Sequence, residues 1–146
     1  MYERAIVAVD VYDEAGTTQT LRKAKHLAEA FGTALHIVFV RPKLPARYMM
    51  LVPDDFQAIR QDEALQKLIE AGEVAELNIT DSDFTSPQGS VSDEILNAVE
   101  ELKGDLIILG AQQSNFARLF IGSNSNSIMR HSTVDVLLVR FTASND

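Results

Sequence analysis

The sequence predicts an α/β fold: an open five-stranded parallel sheet in the order 3-2-1-4-5, with helices on both faces. Three observations lead there. Five short apolar runs recur along the 146 residues: Ala5–Val9, Leu35–Val40, Ala75–Ile79, Leu106–Leu109 and Val134–Val139. Their starts lie roughly thirty residues apart, the spacing of strand–helix units stacked into a parallel sheet. The first, fourth and fifth runs are nearly continuous in Val, Ile, Leu and Ala, as strands covered on both faces must be. A sheet of this kind reverses its winding beside the first strand, so strands one and four become neighbours.

Amphipathic helices fill the intervals. Leu21, Ala24, Leu27, Ala28 and Phe31 recur at three- and four-residue spacing, with Arg22, Lys23, Lys25 and Glu29 on the opposite side. Gly32 closes that helix, as glycine does just past a C-terminus. A second helix is predicted from about Pro53, with Asp54 and Asp55 in its first turn, where carboxylates favour the dipole. A third is predicted with Ser92 as N-cap, Val91 and Leu96 as a hydrophobic staple, and Lys103-Gly104 as its end. The third strand, at Ala75–Ile79, is diluted by Asn78 and Thr80. The stretch from Pro42 to Val52 is too long for a simple turn and is expected either as a flap or as an apolar patch packed on the second helix.

A single domain is expected over residues 1–141, with a polar tail at 142–146. Hydrophobic content of 46% and charged content of 23% are ordinary for a globular protein. The net charge of −8 argues against nucleic-acid or anionic-membrane binding, which needs a basic footprint. With no cysteine there is no disulfide, thiolate nucleophile or Cys-based zinc site. His26, His36 and His131 are dispersed, so neither a metal cluster nor a triad is visible. Nothing resembles a secretory leader or a bilayer-spanning run, and a cytoplasmic location is expected.

The segment that looks like chemistry runs from Gly110 to Ser125. It follows the fourth strand, has glycine at both ends, and opens a helix at Gly122, Ser123, Asn124 and Ser125. Backbone N–H groups at a helix start lack partners and carry the positive end of the dipole, which suits a phosphate. With only 13 Lys and Arg in the chain, such a ligand would lean on these groups and on a divalent cation. Asp10 ends the first strand, so the predicted strand order sets it beside Gly110. It is read either as a ligand for a ribose hydroxyl or metal, or as a carboxylate capping nearby N–H groups. Ser123 is equally suited to be an N-cap. Arg118 lies within the loop and is expected in solvent.

These residues carry a resemblance. Val7–Asp10, Leu106–Gly110 leading to Gly122-Ser123-Asn124, and Ile128–His131 followed by Val134–Arg140 resemble the universal stress proteins, with elements in the same order from Glu3 to Arg140. That family is Rossmann-like, and one branch binds ATP through a Gly-x2-Gly-x9-Gly-Ser/Thr pattern. Here the loop is one residue shorter and Gln113 stands in place of the second glycine. The resemblance implies ATP, with Mg²⁺, as ligand in a stress-response or signalling module with at most slow hydrolysis. It implies contacts from Asp10 to the ribose, from the Val40 backbone to adenine, from Gly110 near the ribose and first phosphate, and from Gly122, Ser123, Asn124 and Ser125 to the outer phosphates, with Val9 also among the cofactor-binding residues.

The last strand is predicted at the sheet edge, an apolar template uninterrupted by proline or lysine. Antiparallel pairing with a second copy through Val134, Val136, Leu138 and Arg140 would close both edges with two-fold symmetry, and the resemblance implies the same homodimer. Four other functions fit parts of the sequence. A nucleotidyl or phosphoryl transferase would need a cation cluster. A flavin carrier would use Gly16–Thr20 as a phosphate loop. A phospho-accepting receiver would use Asp10 and Asp13. A ligand-free dimeric scaffold would need none of these.

Overall fold

Alternation along the first strand sets the layers of the molecule. The computed structural model describes residues 1–113, 119–120 and 122–140. Strand β1 (Arg4–Ala8) is followed by helix α1 (Glu14–Phe31) and strand β2 (Ala34–Val38). Ala5 and Val7 of β1 turn to one face with Ile37 and bury against Leu21 and Ala24 of α1. Ile6 and Val38 turn to the other face. Each fully buried aliphatic side chain contributes about 1.5–3 kcal/mol.

A short helix α2 (Ala46–Met49) and a long helix α3 (Phe56–Val74) come next, then a 3₁₀ turn (Asp81–Asp83), strand β3 (Phe84–Thr85) and helix α4 (Val91–Leu102). Strands β4 (Leu106–Gln113) and β5 (Leu119–Phe120), helix α5 (Ser123–His131) and strand β6 (Asp135–Arg140) complete the described residues. Five strands pair in parallel as β3-β2-β1-β4-β6, the predicted 3-2-1-4-5 order. Leu68 of α3 and Ile108 of β4 join the α1 layer. Ile107, Ile95 and Val99 of α4, and Ile128 of α5 form the opposite layer.

Four local expectations are corrected. Helix α3 starts at Phe56 with Asp55 as its N-cap, and not near Pro53, so neither Asp54 nor Asp55 lies in its first turn. The third strand is Phe84–Thr85, paired with Ile37 and Val38, and not Ala75–Ile79. Residues 75–77 instead complete a Schellman motif on α3: Glu76 takes φ 58°, its N–H bonds the Glu73 carbonyl, and the Leu77 N–H bonds the Gly72 carbonyl at 2.8 Å. Ala75 and Ile79 are buried as the sequence suggested, but from a loop. The N-cap of α4 is Ser90 and not Ser92, so Val91 and Leu96 are not a staple around the cap, although both pack on the second core layer. The N-cap of α5 is Gly122 and not Ser123.

The segment after β4 also differs from a simple loop. Gln112 and Gln113 pair antiparallel with Phe120 and Leu119, so β5 adds a short ladder before α5. The ends of α1 and α4 follow expectation. Gly32 is left-handed at φ 67°. At the end of α4 it is Lys103 that takes φ 55°, while Gly104 gives room, since a Cβ there would sit 2.8 Å from Ile6 Cγ1. The domain end at 141, the tail at 142–146 and Arg118 lie outside the described residues.

Candidate functional site

Register brings the expected residues together. Ala8 stands opposite both Val38 and Leu109, so Asp10, Val40 and Gly110 come to the same carboxyl end of the sheet. There a cavity of about 530 Å³ opens, well within the range of small-molecule sites. Val9, Asp10, Val40, Gly110, Asn124 and Ser125 all line it, with Ile128 of α5 and Ile95 of α4 beneath. Gly122 and Ser123 are not among its lining residues. They stand at the cap and first position of α5, with Ser123 exposed.

Gly122 offers no side chain to cap α5, and its carbonyl accepts the first helical bond, from the Asn126 N–H at 3.0 Å. The first-turn amides of Ser123, Asn124 and Ser125 therefore have no side-chain cap, and they carry the positive end of the helix. Gly122 itself has φ −67° and ψ 168°, a conformation open to any residue. Arg130 and His131 complement the other end of α5.

Asp10 is exposed and held in a turn of its own. Its Oδ1 accepts the Tyr12 N–H at 3.0 Å, and its carbonyl accepts from the Asp13 N–H at 2.9 Å and the Thr17 hydroxyl at 2.6 Å. The capping alternative read from the sequence is thus present in the fold. Asp13 in turn caps α1 through the Gly16 N–H at 3.0 Å. Gly16 to Thr20 lies inside α1, with the Thr17 and Thr20 side chains buried and bonded to backbone carbonyls. A flavin phosphate loop at that place is therefore excluded.

Sequence reasoning missed two residues that line the cavity, Tyr12 and Arg60, and Arg41, which lies between the lining residues Val40 and Pro42. Arg41 is 9% exposed and knits β2 to the loop before α4. Its Nε bonds the Ser86 carbonyl and hydroxyl, both at 3.1 Å, its Nη2 bonds the same carbonyl at 2.8 Å, and its Nη1 bonds Gln57. Burial first, and the neighbouring charge of Arg60 second, lower its pKa from the ordinary arginine value. Tyr12 and Arg60 line the cavity directly. The available signal was a charged residue immediately after an apolar strand, at Arg41, and an arginine one turn beyond Phe56.

Comparison with known proteins now decides the family. The pattern of the Universal stress protein family matches residues 1–140. The chain belongs to that family. Universal stress protein G of Shigella flexneri is 30% identical over 145 residues, spanning 96% of this chain and all of that protein. A universal stress protein solved in complex with cAMP has a TM-score of 0.58 at 20% identity, covering 97% of this chain and 98% of that one. The universal stress protein from Archaeoglobus fulgidus in complex with dAMP has a TM-score of 0.59 at 16% identity, covering 94% and 98%. At such identities the structural likeness is one of fold.

The cavity of this universal stress protein is lined by apolar residues at the strand ends together with Asp10, Arg60, Asn124 and Ser125. Among the described residues no group of three or more His, Cys, Asp and Glu is placed to hold a metal ion. No described helix is long and apolar enough to cross a membrane.

Proposed function

We propose that this universal stress protein binds ATP with Mg²⁺ in the cavity at the carboxyl end of the sheet, as a cytoplasmic stress-response or signalling module. The observation that carries the reading is the first turn of α5, which lacks a side-chain cap and adjoins a cavity lined by Asp10, Val40 and Gly110. Its amides suit the outer phosphates, at Gly122, Ser123, Asn124 and Ser125. The apolar floor around Val9 and Val40 suits a base. Two structural neighbours solved with cAMP and dAMP add support for an adenine nucleotide.

Binding is favoured over turnover. The Asp10 carboxylate already accepts a backbone N–H and is not placed as an activated base. Residues 1–141 act as one nucleotide-binding domain, in the family branch with the shortened loop, and two copies associate through β6. Calorimetric titration with ATP and Mg²⁺, on the parent and on Gly122→Val, tests the reading. Uptake by the parent and loss in the variant support it; a parent that takes up no heat overturns it.

A further inference from the structure

Residues 42–52, between β2 and α3, carry four consecutive large apolar side chains into solvent. Tyr48 and Met49 are exposed, Met50 is 89% exposed and Leu51 77%. The tip is therefore not an apolar patch packed on α3. The hydrogen bonds it makes are its own: the Tyr48 N–H bonds the Pro45 carbonyl at 2.9 Å, and the Leu51 N–H bonds the Tyr48 carbonyl at 3.0 Å. Among the described residues no hydrogen bond joins 42–52 to another part of the fold, and α2 buries no residue. A segment with so few outside contacts shifts at little cost.

Its two roots, by contrast, are fixed, and both stand at the cavity. At one, the Arg41 N–H bonds the Pro87 carbonyl at 2.8 Å and the Gly89 N–H bonds the Arg41 carbonyl at 2.9 Å. The next residue, Pro42, lines the cavity. At the other root Phe56 opens α3, with its ring centre 5.7 Å from the guanidinium carbon of Arg60. Arg60 lines the cavity too, and that carbon lies 5.8 Å from the centre of the Tyr12 ring. The segment thus leaves one wall and returns to another. Even with α2 kept helical, a loop of this length reaches about 15 Å from its roots, more than the width of a cavity of about 530 Å³.

Closure waits for an occupant. Drawn over an empty cavity, the apolar tip would enclose a void, and side chains facing a void have no contact atoms. A ligand that fills the space supplies them, so it binds the closed state better than the open one and shifts the population. Pro42, Pro45 and Pro53 hold φ fixed along the segment, which limits the chain entropy that closing costs.

We propose that residues 42–52 are a lid, whose Tyr48, Met49, Met50 and Leu51 fold down over the filled cavity and slow the release of its ligand. The inference rests on the nucleotide reading above for the occupant and adds a moving part to that site.

The chain has no tryptophan, so Met50→Trp places a single indole on the tip. With ATP and Mg²⁺ its emission should shift to the blue, and acrylamide should quench it several-fold less than in the nucleotide-free protein. Release of labelled ATP into an excess of unlabelled ATP is then timed for the parent and for a variant combining Tyr48→Ser, Met49→Ser, Met50→Ser and Leu51→Ser. The variant should release ATP about tenfold faster while associating as fast as the parent. All four side chains are exposed, so its unfolding midpoint without nucleotide should match that of the parent. Should it fail to fold, Met50→Ser with Leu51→Ser carries the same comparison.

Equal release rates overturn the inference, and so does an indole as open to acrylamide with ATP bound as without it. Shielding that grows with protein concentration in the absence of nucleotide overturns it as well, because the tip then docks on a second copy. These results leave ATP uptake by the parent intact, and the nucleotide reading stands. A parent that takes up no ATP overturns that reading and the lid with it, so the two failures are told apart.

Discussion

Arg41 gives two hydrogen bonds to one oxygen: its Nη2 reaches the Ser86 carbonyl at 2.8 Å and its Nε reaches it at 3.1 Å. The backbone reinforces the join, because the Arg41 N–H bonds the Pro87 carbonyl and the Gly89 N–H bonds the Arg41 carbonyl. The buried Ser86 hydroxyl links back to Phe39 at 2.8 Å. This cluster fixes the wall that Val40 and Gly89 present to the cavity. Arg41→Met removes the donors and strands the Ser86 carbonyl in a buried place, so it should cost about 2–4 kcal/mol. Urea unfolding checks this, and an unchanged midpoint would show that the network contributes nothing to stability.

His36 makes the fold sensitive to mild acid. It is buried on β2 with Nε2 3.1 Å from the Thr85 hydroxyl. Burial first and Arg4 second lower its pKa from 6.5, while Asp83 pulls the other way. The unfolded chain therefore takes up the proton at a higher pH than the folded one, and stability rises with pH across that interval. The contribution is complete above the ordinary histidine value and drains away as pH falls through the folded one. Urea midpoints between pH 8 and pH 5 should fall more steeply for the parent than for His36→Gln. Parallel profiles would remove His36 as the cause.

The contrast between β1 and β3 shows what was legible in the sequence. Ala5 to Val7 is fully buried, and an apolar run with no polar interruption announces such a strand by composition alone. Phe84-Thr85 is too short to announce itself, and its strand character comes from pairing with Ile37 and Val38, which is tertiary information. The Schellman turn at Glu76 was hidden for a related reason: a glutamate gives no hint that it will take φ 58°. At the cavity, Asp10, Val40 and Gly110 were legible because each ends or nearly ends a strand. Tyr12 and Arg60 were not, since their meeting depends on how α3 packs over the turn after β1.

Two left-handed residues offer room for stabilisation. Glu76 at φ 58° and Lys103 at φ 55° each end a helix in a region where a side chain costs about 1–2 kcal/mol. Glycine adopts this conformation without that cost but loses more chain entropy on folding. Strain relief wins narrowly, so Glu76→Gly and Lys103→Gly should each raise stability by about 0.5–1 kcal/mol. The melting temperature would rise by a few degrees in each and nearly additively in the double variant, because the two turns belong to separate helices. A fall in either variant would show that contacts of the native side chain outweigh the strain.

The outer edge of β6 carries the proposed dimer. Leu106 to Ala111 of β4 pair with Asp135 to Arg140 on one side of β6, and no described strand covers its other side. Val136 and Leu138 pack on the core layer, leaving Leu137 38% exposed on the opposite face. Asp135 accepts the Tyr2 hydroxyl at 2.7 Å through Oδ2, a bond that holds the carboxylate in place while its other oxygen keeps its acceptor capacity. Association would rest on edge hydrogen bonds and on Leu137, with Arg140 at the rim. Leu137→Lys places a charge on that surface while sparing the core. Sedimentation at about 10 μM should show the parent as a dimer and the variant as a monomer, with the same unfolding midpoint at low protein concentration. A monomeric parent would refute the pairing, and a dimeric variant would move the interface away from this edge.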